Sequence, residues 1–302
     1  MTDYKSIYDF AIKNGCKAEF NEPLKKHTSF KIGGNASLFI VPEDDKALSE
    51  VLKKCTEENA RVLLLGNGSN MLVCDEGIDA VVILMLREKG KIELIDNNLI
   101  KCDAGVSLTK VCRFAYEKSL SGIEFAFGIP GSVGGAVYMN AGAYGGEIKD
   151  VIVECEYMTY DGQIRTISKD DMCLGYRTSI FNSNNFVILN ATFKLERDEQ
   201  SNIKARMDDF LSRRKDKQPL EYPSAGSTFK RPEGYFAGAL IQESGLKGYS
   251  IGGAQVSEKH AGFVINKGNA TAKDVTELIE FIKNKVKEDS GIELEPEVKI
   301  YR

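Results

Sequence analysis

The chain has 302 residues, of which 42% are hydrophobic and 28% charged, a composition typical of a folded globular protein. This length favours about two domains, with three short ones also possible. The formal net charge of -4 excludes the broad positive field that non-specific binding of nucleic acid or anionic lipid requires, so we expect neither partner. The sequence has no apolar run of membrane-spanning length, and its N-terminus is charged and amphipathic, so we expect a cytoplasmic protein.

The seven cysteines are odd in number and contain no C-x-x-C pair, which favours reduced residues buried in the core. The only histidines are His27 and His260, and neither lies close in sequence to a cysteine pair. A zinc site is therefore not expected, and we predict no metal.

The N-terminal part of the chain alternates helices and strands. Residues 3–14 are predicted to form a helix that ends at Gly15, and residues 37–41 a strand. A second helix is predicted after Pro42, because its apolar residues fall on one face. An apolar strand at 62–65 follows.

The rest of the chain continues this mixed α+β pattern. Further strands are predicted at 81–84, 92–96, 99–102, 151–160 and 186–195, and further helices at 107–118 and 202–217. The last helix has Thr271 and Asp274 as a capping box and Gly291 as its stop. Alternating apolar and charged residues from Ile292 to Ile300 predict a closing strand. We expect a domain boundary near residue 200.

A glycine-rich loop follows the strand at 62–65 directly, with the sequence Gly66-Asn67-Gly68-Ser69-Asn70. Such a loop can turn several backbone N–H groups toward one anion, and glycine lets a pyrophosphate approach closely. It is neither a Walker A loop nor G-x-G-x-x-G. A tight turn without a ligand is the alternative interpretation of this loop alone.

A second glycine-rich segment runs from Gly128 to Ala143 among small apolar residues. Glycine is disfavoured inside regular elements by about 0.5 to 1 kcal/mol per residue, so its density suggests a close approach of backbone or cofactor. Close packing of backbone alone is the competing interpretation.

Several other polar residues are ambiguous by themselves. Ser227 lies in A-G-S-T-F and has no adjacent histidine, so a proton donor is a better chemical role for it than a nucleophile, although a capped turn is the usual explanation of such a serine. The basic end of the helix at 202–217 is typical of a solvated surface. Glu297 lies on the polar face of the predicted closing strand, where exposure is the default, and Arg177 gives no signal alone.

Seven motifs follow one another along the chain: H-T-S-F-K-I-G-G-N-A from His27, G-N-G-S-N from Gly66, G-I-P-G-S-V-G-G from Gly128, M-N-A-G-A-Y-G from Met139, Y-R-T-S-I-F from Tyr176, A-G-S-T-F from Ala225 and L-E-P-E-V from Leu294. Taken in this order, they are similar to the motifs of one family, the UDP-N-acetylenolpyruvoylglucosamine reductases. The resemblance spans nearly the whole chain.

The resemblance implies an α+β fold with two FAD-binding subdomains of the vanillyl-alcohol oxidase and p-cresol methylhydroxylase type, followed by an α+β substrate-binding domain. The first FAD-binding subdomain is predicted to consist of residues 1–85 and to be completed by residues 298–302. The second is predicted at residues 86–200, and the substrate-binding domain at residues 201–297. The FAD-binding region of this type corresponds to residues 33–197. We expect a monomer.

The family's reaction has two halves: NADPH reduces FAD, and the flavin then passes hydride to the enolpyruvyl ether of the UDP-sugar. The resemblance assigns FAD contacts to Gly66, Asn67, Gly68, Ser69, Asn70, Gly128, Pro130, Gly131, Val133, Gly134, Gly135, Asn140, Gly142 and Ala143. It assigns stabilisation of the enolate to Arg177 and Glu297, and protonation of the α-carbon to Ser227. Tyr176, Arg214, Lys217 and Arg231 are expected to bind the substrate.

An arginine such as Arg177 can donate two N–H groups to one carboxylate. A charged glutamate would repel the dianion that develops on the substrate. Glu297 is therefore expected to be protonated or hydrogen-bonded in a way that raises its pKa. About 50 residues separate Arg177 from Ser227, which leaves no room for the tyrosine-bearing insertion of the family's long form. Two alternatives stay open at this point: a sugar or alcohol oxidase of the same fold, and a nucleotide-sugar-binding flavoprotein that does not turn over.

Overall fold

A computed structural model of the chain describes residues 2–86 and 90–302. These residues form two compact units. The first unit contains residues 2–20, 38–67, 80–86 and 90–213. The second contains residues 21–37, 68–79 and 214–302. The three predicted domains stay a prediction.

The secondary structure is mixed. The helices are α1 (Tyr4–Lys13), α2 (Asp45–Glu57), α3 (Leu108–Glu117), α4 (Val133–Tyr138), α5 (Ile148–Val151), α6 (Gln200–Lys217), α7 (Ala237–Glu243) and α8 (Ala272–Ser290). The strands are β1 (Lys17–Pro23), β2 (Asn35–Val41), β3 (Val62–Leu65), β4 (Met71–Val73), β5 (Ile78–Leu84), β6 (Ile92–Asp96), β7 (Leu99–Asp103), β8 (Leu120–Ser121), β9 (Gly142–Ala143), β10 (Gly146–Glu147), β11 (Ile152–Thr159), β12 (Ile164–Ser168), β13 (Phe186–Lys194), β14 (Glu196–Arg197), β15 (Ser250–Ile251), β16 (Ala254–Val256), β17 (Val264–Asn266) and β18 (Lys299–Tyr301).

The N-terminal part of the first unit is a sheet covered by two helices. Its strand order is β1-β2-β5-β3, and β3 runs parallel to β5. Helices α1 and α2 begin at aspartate caps, Asp3 and Asp44, whose carboxylates accept the N–H of the third residue on. Their apolar faces, with Ile7 and Val51 fully buried, share one core with the sheet. This core fixes the carboxyl end of β3, where the first glycine-rich loop begins.

The second sheet of the first unit has five strands in the order β12-β11-β13-β7-β6, and all of its neighbours are antiparallel. One face packs with α3 and α4 in a core that includes Ile100, Val111, Val137 and Phe193. Because α4 lies in the second glycine-rich segment, this core positions that segment.

The second unit is built around α8. Its buried stripe, which includes Val275, Ile279 and Ile282, shares a core with α7 and with the three-stranded antiparallel sheet β15-β16-β17. Thr271 and Asp274 form the predicted capping box, and Gly291 ends the helix with φ +74°. Both helix-end predictions are confirmed.

Two predictions from the sequence were wrong. The closing strand is confined to β18, which pairs in parallel with β4, and residues 292–298 do not form a strand. The alternating pattern there arises because Leu294 and Val298 are buried in the core of the second unit while the backbone is irregular.

Five of the seven cysteines are buried as expected, but Cys74 is half-buried and Cys173 is exposed. Among the described helices, none has the length and apolar character needed to cross a membrane.

Candidate functional site

The loop that follows β3 contacts the second glycine-rich segment within the first unit. Asn67 Nδ2 donates a hydrogen bond to the carbonyl oxygen of Pro130 at 2.9 Å. A Cβ added to Gly66 would lie 2.7 Å from Ser132 Oγ, closer than real Cβ contacts. The two glycine-rich motifs are therefore neighbours in space, which is what joint binding of one ligand requires.

Gly68 occupies a position that only glycine fits. Its φ is +58°, and a Cβ there would lie 2.2 Å from the carbonyl oxygen of His27. Its own carbonyl oxygen accepts the Ser29 N–H at 3.1 Å. The H-T-S segment at 27–29 thus supports this half of the loop from behind.

Replacing Gly68 by alanine should destabilise the protein by more than about 2 kcal/mol, since it combines a left-handed residue with a clash against backbone. Gly234→Ala is the matched control, because its φ is +75° with nothing within 4 Å of the added Cβ, and backbone strain of about 1 kcal/mol is its only expected cost. Urea unfolding of the flavin-free protein measures both. Equal losses in the two variants would contradict the clash at His27.

The geometry of the loop suits an anion. Within residues 2–86 and 90–302, the backbone N–H groups of Asn67, Gly68 and Ser69 donate to no protein acceptor. Consecutive N–H groups around a left-handed residue form the concave arrangement that binds phosphate oxygens. The residues present therefore fit the pyrophosphate of FAD.

The second glycine-rich segment is tightly packed. A Cβ on Gly134 would lie 3.0 Å from Ala104 Cβ, and one on Gly142 would lie 2.8 Å from the carbonyl oxygen of Gly146. Gly135 is freer, since its nearest neighbour would be Ser132 Oγ at 3.4 Å. Close packing of backbone thus accounts for at least two of these glycines, and their contact with the cofactor stays a prediction.

The remaining residues predicted to contact FAD differ in exposure. Gly128 has φ +83° and precedes Pro130 and Gly131 in the turn before α4. The side chain of Val133 is buried in the core of the first unit, so only its backbone can reach a ligand. Ala143 is half-buried in β9.

Asn140 ties the glycine-rich segment to the arginine motif. Its side chain is fully buried: Nδ2 donates to Glu147 Oε2 at 2.7 Å and to the carbonyl oxygen of Gly175 at 2.9 Å, while Oδ1 accepts the Lys149 N–H at 2.9 Å. Ser179 Oγ adds a bond of 2.7 Å to the carbonyl oxygen of Tyr138. The turn that carries Arg177 is therefore fixed from both ends.

Arg177 sits in a strained backbone conformation at the tip of that turn. Its φ is +57°, which is unusual for a residue with a Cβ. Its Nη2 donates to the carbonyl oxygen of Gly142 at 3.3 Å, and its guanidinium carbon lies 5.3 Å from the ring centroid of the exposed Tyr176. The structure thus brings Arg177 and Tyr176 to the glycine-rich segment of the first unit.

Ser227 and Glu297 both belong to the second unit, and their segments are bonded to each other. The Glu297 N–H donates to the carbonyl oxygen of Thr228 at 2.8 Å. Asn70 Nδ2 donates to the carbonyl oxygen of Glu297 at 3.2 Å, so the first glycine-rich loop joins the pair. Glu297 is half-buried and outside any strand, which corrects its predicted place on an exposed strand face.

The residues predicted to bind substrate in the second unit are spread over two elements. Arg214 is 7% exposed near the end of α6 and donates to Gln218 Oε1 at 3.1 Å, and Lys217 is exposed at the end of the same helix. Arg231 is exposed, and its guanidinium carbon lies 4.0 Å from the ring centroid of Phe236. A polar cavity of about 880 Å³ lies elsewhere in this unit, near Asp75 and Lys273, and includes none of the predicted site residues.

His260, for which no role was predicted, lies behind the serine motif. Its Nδ1 accepts the Gly262 N–H at 3.1 Å, and the carbonyl oxygen of Gly262 accepts the Thr228 N–H at 2.8 Å. Burial holds the pKa of His260 below its usual value, and the charges of Lys217 and Lys247 lower this pKa further. The only sequence signal for such a role is that the chain has just two histidines, of which His260 is one.

The protein should lose stability as the pH falls below about 6.5, the ordinary pKa of histidine. The unfolded chain then binds a proton at this position that the folded protein resists, so the free energy of unfolding decreases. His260→Gln should flatten the dependence of the urea midpoint on pH between 5.5 and 7.5. An unchanged slope in this variant would assign the dependence to other groups.

Known protein families are similar to this chain over most of its length. The model of the FAD binding domain family matches residues 36–168, which include both glycine-rich segments. Together with the anion-binding geometry of the loop at 66–70, this defines an FAD-binding protein. The predicted α+β FAD-binding fold and the FAD cofactor are confirmed.

A second family model, the C-terminal domain of UDP-N-acetylenolpyruvoylglucosamine reductase, matches residues 218–301. The reductase of Syntrophomonas wolfei is 49% identical over 98% of both chains, and one from Clostridium botulinum strain Eklund 17B is 50% identical over 99% of this chain and 97% of its own. The crystal structure of the Thermus caldophilus enzyme matches with a TM-score of 0.81 and 35% identity, covering 95% of this chain and all of its own. The chain belongs to the UDP-N-acetylenolpyruvoylglucosamine reductase family.

Proposed function

We propose that Arg177, Glu297 and Ser227 carry out the reaction of this family in this chain, the reduction of UDP-N-acetylenolpyruvoylglucosamine by NADPH through FAD. The chain is an FAD-dependent oxidoreductase of peptidoglycan synthesis, as its family membership over nearly the full length establishes. The observation that best supports the residue roles is the bonding of the Ser227 and Glu297 segments to each other and to the glycine-rich loop.

The residues that would hold FAD are those with open backbone donors. The N–H groups of Asn67, Gly68 and Ser69 would bind the pyrophosphate, and Gly128–Ala143 would line the remainder. The bound cofactor would supply the acceptor for hydride from NADPH and the donor of hydride to the enolpyruvyl carbon.

Arg177 would bind the carboxylate of the enolpyruvyl group. Its planar fork can donate two parallel N–H bonds to a carboxylate, and these bonds strengthen as negative charge builds up there. The turn around it is fixed by Asn140 and Ser179, so little reorganisation is needed when the substrate binds.

Glu297 would act as a neutral acid that donates a hydrogen bond to the same carboxylate, because a second anion would repel the developing charge. Ser227 would then give the proton of its hydroxyl to the α-carbon. The resulting alkoxide must be reprotonated, and both Lys217 and Lys230 stay candidates. Lys230 Nζ pairs with Glu295 Oε1, which gives it an acidic neighbour.

Substrate binding completes the proposal. Arg214, Lys217 and Arg231 would neutralise the diphosphate, and Tyr176 would contact the substrate beside Arg177. In the described fold β13 ends at Lys194 and α6 begins at Gln200, with only the two-residue β14 between them, which supports the short form without a tyrosine-bearing insertion. A monomer in the cytoplasm is part of the same proposal.

An anaerobic experiment tests this function. NADPH-reduced protein should be reoxidised by UDP-N-acetylenolpyruvoylglucosamine and should release UDP-N-acetylmuramate, with the flavin absorbance near 450 nm returning. No reoxidation by the enolpyruvyl substrate, together with rapid turnover of a sugar or alcohol in a separate aerobic sample, would indicate an oxidase. Binding of the substrate without reoxidation would indicate a nucleotide-sugar-binding flavoprotein.

A further inference from the structure

Ser29 contacts two loops at once. Its backbone N–H donates to the carbonyl oxygen of Gly68 at 3.1 Å, and its hydroxyl donates to the carbonyl oxygen of Ser224 at 2.7 Å. A single residue of the H-T-S segment therefore joins the cofactor loop to the segment of the proton donor, because Ser224 lies three positions before Ser227.

The other side of this arrangement closes through Glu297. The carbonyl oxygen of Thr228, the residue after Ser227, accepts the Glu297 N–H, and the carbonyl oxygen of Glu297 accepts from Asn70 at 3.2 Å. Asn70 is the last residue of the cofactor loop. The hydrogen bonds thus form a closed ring, and Ser29 is its link on one side.

Ser224 pairs with Ile265 in a β-bridge, and Ala225 and Thr228 are buried, but Gly226 and Ser227 between these two are less restrained. Gly226 has φ +77° with nothing within 4 Å of an added Cβ, and Ser227 is exposed. Upstream, the Asn266 N–H holds the carbonyl oxygen of Pro223 at 2.8 Å. Between that anchor and Thr228, the hydroxyl of Ser29 is a direct restraint on the path of the chain.

We propose that Ser29 is a positioning residue: its hydroxyl sets the position of Ser227 relative to the pyrophosphate loop. This proposal rests on the proposed role of Ser227 as proton donor. Loss of the hydroxyl removes its bond to Ser224 and a longer contact of 3.4 Å with the Gly68 carbonyl oxygen. Transfer of the proton should therefore be affected more than cofactor binding, because the backbone N–H that holds Gly68 is retained.

Ser29→Ala is the test, with Ser37→Ala as the matched control. Ser37 is a half-buried serine of the same unit whose hydroxyl donates to Asp79 Oδ1 at 3.0 Å, away from both loops. In rapid-mixing measurements, Ser29→Ala should slow reoxidation by the enolpyruvyl substrate about 10-fold, because small misplacements of a reacting group are costly and the Pro223 anchor limits the displacement. FAD affinity and reduction by NADPH should change less than about 3-fold, within the weight of one hydrogen bond.

Two further readouts separate positioning from general loss of structure. Ser29→Thr, which retains a hydroxyl, should restore most of the reoxidation rate, and the solvent deuterium isotope effect on reoxidation should increase in Ser29→Ala. In the flavin-free protein, amide hydrogen exchange of residues 224–229 should be faster in Ser29→Ala than in Ser37→Ala. Equal slowing of both half-reactions, or equal behaviour of the two alanine variants, would overturn the proposal.

The double variant Ser29→Ala/Ser227→Ala distinguishes this proposal from the role of Ser227 itself. If Ser29 acts through Ser227, the double variant should reoxidise no more slowly than Ser227→Ala. Additive losses would overturn the positioning role while leaving Ser227 as the donor. A parental rate in Ser227→Ala alone would instead refute the proposed donor.

Discussion

Replacing Ser227 by alanine is expected to slow reoxidation of the reduced flavin by the enolpyruvyl substrate about 10²- to 10⁴-fold, the usual contribution of a positioned general acid. The hydroxyl is exposed, so a substrate can reach it, while its neighbours Ala225 and Thr228 are buried and fix the backbone on both sides. Reduction by NADPH should be nearly unaffected, because proton donation belongs to the second half-reaction.

Ser224→Ala is the control for this change, since it removes a hydroxyl from the same segment while the backbone carbonyl that Ser29 binds stays in place. Cysteine at position 227 should restore part of the rate, because a thiol is a stronger acid of similar size. Rapid mixing of each half-reaction provides the measurement. A variant with alanine at 227 that reoxidises at the parental rate has a different proton donor.

The regular elements were predictable because their signals are local. The capping box at Thr271 predicts the start of α8, and Gly291 predicts its end. Gly291 has φ +74°, a conformation that glycine adopts more easily than most other residue types. The strand β3 has the predicted bounds, residues 62–65, because it consists of four apolar residues that are followed directly by a glycine. Such features need no knowledge of distant parts of the chain.

The irregular segments were less predictable because tertiary contacts determine them. Residues 292–298 have the apolar alternation of a strand, but their path is set by packing against the core of the second unit. Their backbone forms hydrogen bonds with residues 228 and 230. The strand β1 was missed because much of it is exposed and its sequence lacks an apolar alternation. Local patterns do not carry this information.

The candidate site was predictable as a set of motifs and not as an arrangement. The glycine motifs identified the cofactor loop, yet the clash that requires glycine at 68 is with His27, 41 positions earlier in the sequence. Likewise, no sequence pattern indicates that Ser29 binds Ser224 or that Asn140 binds Gly175. These contacts join motifs that are distant in the chain.

Arg177→Lys is expected to lower turnover with the enolpyruvyl substrate about 10²- to 10³-fold, the typical effect of losing a donor aimed at charge that develops in the transition state. Lysine keeps the positive charge but replaces the planar fork by a single ammonium group. Reduction of the flavin by NADPH should be retained. Steady-state and rapid-mixing kinetics should place the loss in turnover more than in KM, and a change confined to KM would remove Arg177 from transition-state stabilisation.

The backbone at Arg177 supplies the control for folding. Lysine and arginine bear the same cost at φ +57°, so the Arg177→Lys variant should unfold at nearly the parental urea concentration. Glycine relieves that cost and alanine does not, so Arg177→Gly should be more stable than Arg177→Ala by about 1 kcal/mol, although both lack the guanidinium and should be equally impaired in reoxidation. Equal stability of these two variants would show that the left-handed backbone at 177 is not maintained. Comparable stability of the lysine variant and the parent, together with the loss of turnover, would assign the defect to the missing fork.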